Sequence, residues 1–514
     1  MTPEQLKASI LQRAMEGKLV PQDLNDEPAS ELLKRIKAEK EKLIKEGKIK
    51  RDKNETEIFR GDDGLHYEKF HDGSIKQIDV PFEIPESWEW VNLGQVGTLQ
   101  RGVGIKKSET VSKGIQCVRY GEIYTTYDYF FTETVSSTTS DVAKRSLAVN
   151  VNDILITLTG ENKKDIGKAV AYLGNASCVM GGDLSKLSNH KMNAKYLSFI
   201  LNSPNVKTQK SGLATGNIIV HISNSKLEKI LVPIPPIKEQ QEIVDKVEYY
   251  FKFVDEYEIA QNKLKKIIDD FPEKLRKSIL QYAMQGKLVT QDATDEPVEV
   301  LLEKIREEKQ KLFTEGKLKK KDLQESIIYQ GDDNSYYENC PNTWAKVSLA
   351  TISKITSGGT PKTDLKEYYN GEIPWFTPAD LSKAQSNYYL DNSLKSITRL
   401  GLKNSSAQLI DAYSIVYSSR APIGYINIVP KQYTTNQGCK SLTPYLVIVK
   451  WLYFAMKYAT ADIKKNASGT TFIEISASKL GDIYIDLPPI SEQERIVDKI
   501  EKLWNKIDTL PFTP

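Results

Sequence analysis

The sequence predicts a mixed α/β (α+β) fold of two like modules joined by long coiled-coil helices, with an internal pseudo-twofold repeat. Three observations predict it. Pro235-Pro236-Ile237-Lys238-Glu239-Gln240 returns as Pro488-Pro489-Ile490-Ser491-Glu492-Gln493, with 9 of 13 positions identical through Val247/Ile500. Residues 9–20 return as 278–289, with 10 of 12 identical. Two blocks of different texture, rich in Gly, Thr, Tyr and short apolar runs, stand between these repeats. The offsets are 253 and 269, so Pro514 maps to Gln261 and Met1 to Asp270. Joining the two ends would rebuild the central segment with only eight positions missing. Such self-similarity is read first because it sets the architecture.

A chain of 514 residues, 39% apolar and 27% charged, is long enough for several domains with their own cores. No run approaches the roughly 18 apolar residues of a membrane span, and the N-terminus lacks a basic-then-apolar signal pattern. Cys117, Cys178, Cys340 and Cys439 show no CxxC spacing, so neither a disulfide framework nor a zinc site is indicated, and a cytoplasmic location is expected. The net charge of +3 permits a local nucleic-acid patch without arguing for one.

Residues 3–16 read as a short amphipathic helix stopped by Gly17. Asp26-Glu27-Pro28 opens a second helix, because acids and proline suit a first turn with its free N–H groups. Residues 57–70 carry Gly61-Asp62-Asp63-Gly64 between β-prone residues, a hairpin signal, and the block returns at 278–338 with Gly331-Asp332-Asp333 as its turn. The expected domains are a helical region with hairpin (1–83), a first module (84–232), a central helical region (233–338), a second module (339–487) and a C-terminal helix (488–514). Strands at 154–157 and 168–173 and a helix near 194–201 are expected in the first module. The modules begin alike at Trp88 and Trp344 and end alike at Ile222-Ser223 and Ile475-Ser476, yet share little between.

In the connector, Val244, Val247, Phe251 and Val254 keep the 3-4-3 spacing of a coiled-coil seam, continued by Tyr257, Gln261, Leu264, Ile268, Phe271 and Leu275. Pro272 is expected to kink or restart the helix. The matching segment 490–507, helped by the N-terminal helix, is the expected partner.

Catalytic signatures are absent: there is no GxxxxGK[ST] loop, no GxGxxG, no HExxH, and no Asn/Asp-Pro-Pro-aromatic stretch. No metal and no cofactor are expected for this chain. The modules instead carry basic, polar and aromatic residues in glycine-bearing loops. In the first these are Arg101, Lys106, Lys107, Arg119, Tyr120, Lys163, Lys164, Thr215 and Asn217. In the second they are Thr360, Lys362, Arg420, Asn436, Gln437, Thr470 and Thr471. Arg and Lys bond guanine edges, and Asn and Gln bond adenine edges, in the major groove. Ser, Thr, Tyr and loop N–H groups suit phosphates. Gly-Thr-Asn loops also occur simply as turns.

The paired Pro-Pro-Ile-x-Glu-Gln and Gly-Lys-Leu-Val segments, framing two unlike blocks, resemble the specificity subunits of type I restriction-modification systems. The second module's Ser-Gly-Gly-Thr-Pro, Ser-Arg-Ala-Pro-Ile-Gly and Thr-Asn-Gln-Gly stretches look like those of many target recognition domains in that family, and the N-terminal block resembles streptococcal-type members. The resemblance implies that each module reads half of a bipartite duplex DNA target. It implies that the conserved helices form an antiparallel coil setting the gap between the halves. It also implies two methyltransferase subunits, which bind S-adenosylmethionine, and restriction subunits with ATP-driven motors as partners. Catalysis would then reside in the partners. Charges at Glu239, Asp245, Glu492 and Asp498 are expected to serve that assembly rather than the fold. From the residues alone, a stand-alone DNA nuclease and a coiled-coil scaffold with two protein-binding modules stay open as alternatives.

Overall fold

The chain divides into two units, Met1–Lys263 and Leu264–Pro514, in a computed structural model. The structure describes residues 1–49, 51, 56–328, 341–385, 387–420, 422–467 and 473–511. Each unit is assembled from the same parts.

In the first unit, Thr2 opens the helix Pro3–Met15 with a capping box to Gln5, and Pro28 precedes the helix Ala29–Lys45. The hairpin expected at 57–70 is present as Glu57–Arg60 paired with His66–Lys69, and a third strand, Ile75–Ile78, extends it. Its second copy at 331–333 lies outside the described residues. The module is framed by Glu89–Asn92 paired antiparallel with Leu231–Ile234. Inside the frame is a five-stranded sheet in the order Thr98–Arg101, Leu184–Ser188, Ile154–Thr157, Ala169–Tyr172, Phe130–Phe131. A second five-stranded sheet carries Ile115–Val118 at its centre. The helix Ala194–Leu201, started by the Asn193 side chain, covers the first sheet.

The second unit repeats this plan. Ala345–Ser348 pairs with Tyr484–Leu487, the frame equivalent. Its main sheet runs Ser353–Ser357, Cys439–Pro444, Ser414–Ser418, Ile426–Val429, covered by the helix Val449–Asn466. A smaller sheet of Lys395–Ile397, Tyr369–Phe376 and Thr434–Thr435 stands beside it.

The repeated Glu-Gln motif is the joint between helix and module. Glu239 is 2% exposed, and its carboxylate accepts the Trp88 indole N–H at 2.8 Å and an amide N–H of Gln22. Glu492, 1% exposed, accepts from Trp344 at 2.9 Å and from Gln291 at 2.6 Å. Gln240 donates to the Pro235 carbonyl and accepts from the Asn193 backbone, while Gln493 does the same with Pro488 and Ile448. One motif therefore grips the start of its module and the start of its module's helix. Gly17 and Gly286 complete the joint in the left-handed region at φ +65 and +66. A Cβ there would lie 2.4 Å from Pro85 and 2.2 Å from Pro341, so no side chain fits.

This corrects one expectation. Glu239 and Glu492 look like exposed helix charges, but both are buried parts of the fold, because a distant Trp and Gln close over them. Asp245 and Asp498 are exposed, as a partner-facing role requires.

The long helix Ile237–Met284 spans 48 residues and continues through Pro272 without a restart. In the first unit Val244, Val247 and Phe251 share a core with Leu11, Ala14 and Met15 of the N-terminal helix. Lys7 bridges to Asp255 at 2.7 Å and lies over the Phe251 ring. In the second unit Ile279, Leu280 and Ala283 share a core with Ile496, Val497, Ile500 and Trp504 of the helix Ile490–Thr509. There Arg276 bridges to Asp508 and lies over Trp504. By the two offsets, Lys7 maps to Arg276, Phe251 to Trp504 and Asp255 to Asp508. The same three-residue contact is thus built twice, once from the chain's N-terminal helix and once from the end of the central one.

Glu239→Ala should destabilise the chain by about 1–3 kcal/mol, because Trp88 is left with a buried, unpaired N–H. Asp245→Ala should change stability by less than about 0.5 kcal/mol. Urea midpoints check both. Desolvation pushes the Glu239 and Glu492 carboxyls above their ordinary value of 4.5. Each therefore binds its proton more tightly when folded, a contribution complete below pH 4.5 and lost as pH rises through the folded value. That component should vanish from the pH profile of the double Ala variant.

Candidate nucleic-acid interface

Backbone hydrogen bonds reveal that the two modules correspond position by position at one edge. Thr157 pairs with Leu184, and Ser418 pairs with Cys439. One residue on, Leu158 N–H donates to Asp183 O and Ser419 N–H to Gly438 O, both at 2.9 Å. Ile222 N–H then donates to Leu158 O, and Ile475 N–H to Ser419 O, both at 3.0 Å. The next bridge is Thr159 with His221 in the first module and Arg420 with Glu474 in the second. Thr159 therefore occupies the place of Arg420, and His221 that of Glu474. The ladder is shared and the side chains on it are exchanged.

In the first module this edge gathers several sequence-selected residues. Arg101 donates to Gly182 O at 3.0 Å and faces Asp183 at 3.7 Å. A Cβ on Gly182 would meet the Gly104 backbone N at 2.8 Å, so the 102–105 and 181–183 loops touch. The Thr159 hydroxyl links the Asp183 carboxylate to His221 Nδ1 at 3.4 and 3.1 Å. Thr215 and His221 exchange backbone hydrogen bonds, and Asn217 lies between them on an exposed tip. Lys163 and Lys164 sit in the exposed loop after Gly160, and Lys106, Lys107 and Tyr120 are exposed nearby in sequence to Arg101 and Arg119. Arg119 differs: it donates twice to the buried Glu122, at 2.9 and 2.7 Å. That spacing of three in a helix start fixes the loop and occupies the guanidinium.

In the second module Thr360 donates to the exposed Gln437 amide oxygen. The Gly358 backbone packs against Thr435 and Asn436, and the Asn436 side chain accepts the Gly438 N–H at 3.0 Å. Arg420 approaches Gly438, where a Cβ would lie 3.3 Å from its Nε. Lys440 lies beneath, 5% exposed, bonded to Glu474 at 3.2 Å and to Gln437 O. No hydrogen bond or ion pair to another described residue engages the Arg420 guanidinium. Lys362 is exposed on the same glycine-rich loop. Thr470 and Thr471 lie outside the described residues. Asp183, His221, Lys440 and Glu474 were not selected from sequence, because the pairing that aligns them is carried by backbone groups.

The family model for the type I restriction modification DNA specificity domain matches residues 85–267 and 341–510, more than half of the chain. The chain belongs to this family. It is 26% identical to the Escherichia coli type I restriction enzyme EcoEI specificity subunit, over 99% of this chain and 90% of that protein. It is 27% identical to the Escherichia coli EcoAI specificity subunit, with the same coverage of each. A solved structure of the HsdS subunit from Thermoanaerobacter tengcongensis matches 83% of this chain and 92% of its own, at 16% identity and a TM-score of 0.38. The two matched segments each contain one of the paired edges, so the family's repeated domain and the structural repeat coincide. Among the described residues no helix is long and apolar enough to cross a membrane.

Arg119→Ala should cost about 1–3 kcal/mol, since it removes the charged partner of a buried carboxylate and leaves it the Ser136 hydroxyl as its side-chain donor. Arg420→Ala and Gln437→Ala should each stay within about 0.5 kcal/mol of the parent. Equilibrium urea unfolding of the three variants separates the fold residue from the two surface ones.

Proposed function

We propose that the chain is the DNA-reading subunit of a type I restriction-modification complex and performs no catalysis itself. The observation that carries this reading is the shared ladder with exchanged side chains. Two modules with one frame and different loop chemistry are what a bipartite, asymmetric target calls for. Residues 84–232 and 339–487 are the two target recognition domains; 1–83, 233–338 and 488–514 are the helical regions that hold them. Arg101, Lys106, Lys107, Lys163, Lys164, Thr215 and Asn217 serve one half-site. Lys362, Arg420 and Gln437 serve the other. Lysines and threonines position phosphates, and Arg420 and Gln437 have the donor sets for purine edges. Arg119, Asn436 and Thr360 act by shaping their loops.

The partners are duplex DNA, two methyltransferase subunits and restriction subunits. The relatives' names as type I specificity subunits support this assembly. Methyl transfer and cleavage then belong to the partners, and the purified chain alone should do neither. The helices act as a spacer. The 48 residues of Ile237–Met284 extend for about 72 Å at 1.5 Å per residue.

Exchange of residues 341–487 for the block of another family member should rewrite one half of the target. The other half and the gap should stay. Insertion of about four residues, one helical turn, near Glu258 should change the gap and leave both half-sites readable. Adenine methylation mapping in cells carrying the partner genes reads both outcomes. A module exchange that rewrites both halves contradicts the proposal, as does methyl transfer by the isolated chain.

A further inference from the structure

At the tip of the first module's edge stands a small, rigid finger with an apolar end. Thr215 and His221 close its base by donating N–H groups to each other's carbonyls at 2.9 and 2.8 Å. Gly216 turns the chain at φ +103, and a Cβ there would lie 2.1 Å from the Ile219 carbonyl, so the turn admits glycine alone. Val220 anchors the finger in the core at 1% exposure, and His221 ties it to Thr159. Beyond that anchor, Ile218 is 88% exposed and Ile219 is 58% exposed. Single exposed apolar residues are ordinary. Two adjacent isoleucines on a doubly tied turn, whose His221 is linked through Thr159 to the Asp183 that Arg101 faces, and whose Val220 pairs with Gly160 at the start of the Lys163-Lys164 loop, are not explained by folding.

We propose that Ile218 and Ile219 enter the DNA major groove and contact thymine 5-methyl groups in the half-site read by the first module. The proposal rests on the DNA-reading function above and names the chemistry this finger recognises. The fit is dimensional and chemical. A two-stranded turn has its strands about 4.8 Å apart; with side chains it suits the major groove, about 12 Å wide, and not the minor groove, about 6 Å wide. The thymine methyl is the apolar group that base edges offer there. The neighbouring cations match the phosphates on either side, so the isoleucines are brought to the groove without needing affinity of their own.

The test uses the full chain with its methyltransferase subunits. A random-core duplex library selected on the parent complex supplies the target, and exchange of residues 341–487 shows which half-site belongs to the first module. Binding is then compared for the parent and the I218S/I219S double variant, whose positions are solvent-facing, on duplexes with thymine or deoxyuridine. Deoxyuridine removes only the methyl. In the first half-site it should weaken the parent about fourfold per methyl, the fold-change equivalent to ~0.8 kcal/mol for one buried carbon. The variant should bind the thymine duplex as weakly as the parent binds the deoxyuridine one, and should not distinguish the two. Deoxyuridine in the other half-site should affect both proteins alike. The proposal is overturned if the variant matches the parent on thymine, if the variant keeps the parent's sensitivity to deoxyuridine, or if the first half-site contains no thymine. A parent complex that selects no sequence from the library overturns the DNA-reading function itself, which is a separate result.

Discussion

The buried carboxylate–indole bond at the start of each connector helix is the constraint on which the rest depends. Glu239 with Trp88, and Glu492 with Trp344, tie a helix to the residue that precedes the first framing strand of a module. A desolvated carboxylate is costly unless its lone pairs are used. Here each accepts both an indole and a glutamine amide, so the bond is satisfied only when helix, module and preceding loop are all in place. The adjacent Gln240 and Gln493 extend the same grip to the module's covering helix. A six-residue motif thereby fixes the orientation of a recognition module on its own spacer. Reading loops can then vary without disturbing where they are held.

The two joints are alike in plan and differ in their surface pairing. Asp26 is bonded by Lys238 at 3.0 Å, whereas its counterpart Asp295 is bonded by Arg495, one helical turn further along. The cation moves by four positions on the helix and still reaches the same acid. Buried members of the joint are retained in both copies, and exposed members have exchanged. That is the pattern expected where desolvated hydrogen bonds carry the energy and surface ion pairs contribute little.

Much of this was legible in the sequence. The repeat offsets of 269 and 253 were legible; that they carry the Lys7–Asp255 pair onto the Arg276–Asp508 pair is shown by the structure. The strand Ile154–Thr157 and the helix Ala194–Leu201 stand where the apolar pattern put them. The burial of Glu239 was not legible, since a glutamate on an amphipathic helix reads as exposed and its partner Trp88 lies 151 positions away. Nor was the equivalence of Thr159 with Arg420, which is defined by N–H and C=O groups every residue possesses. The engagement of Arg119 with Glu122 could have been foreseen, because a spacing of three at a helix start favours that pair. Pro272 was expected to kink or restart the helix, and the helix runs through it without a restart.

The central claim is that one edge of each module, and not its connector helix, meets the bases. Photocrosslinking with 5-iodouridine placed through the selected target, followed by peptide mass spectrometry of the full complex, tests it directly. The account predicts crosslinks in the 101–107, 159–164 and 215–221 loops for one half-site, and in the 357–362, 420 and 436–437 segments for the other. Crosslinks confined to the helix Ile237–Met284, or to one module for both half-sites, would contradict it.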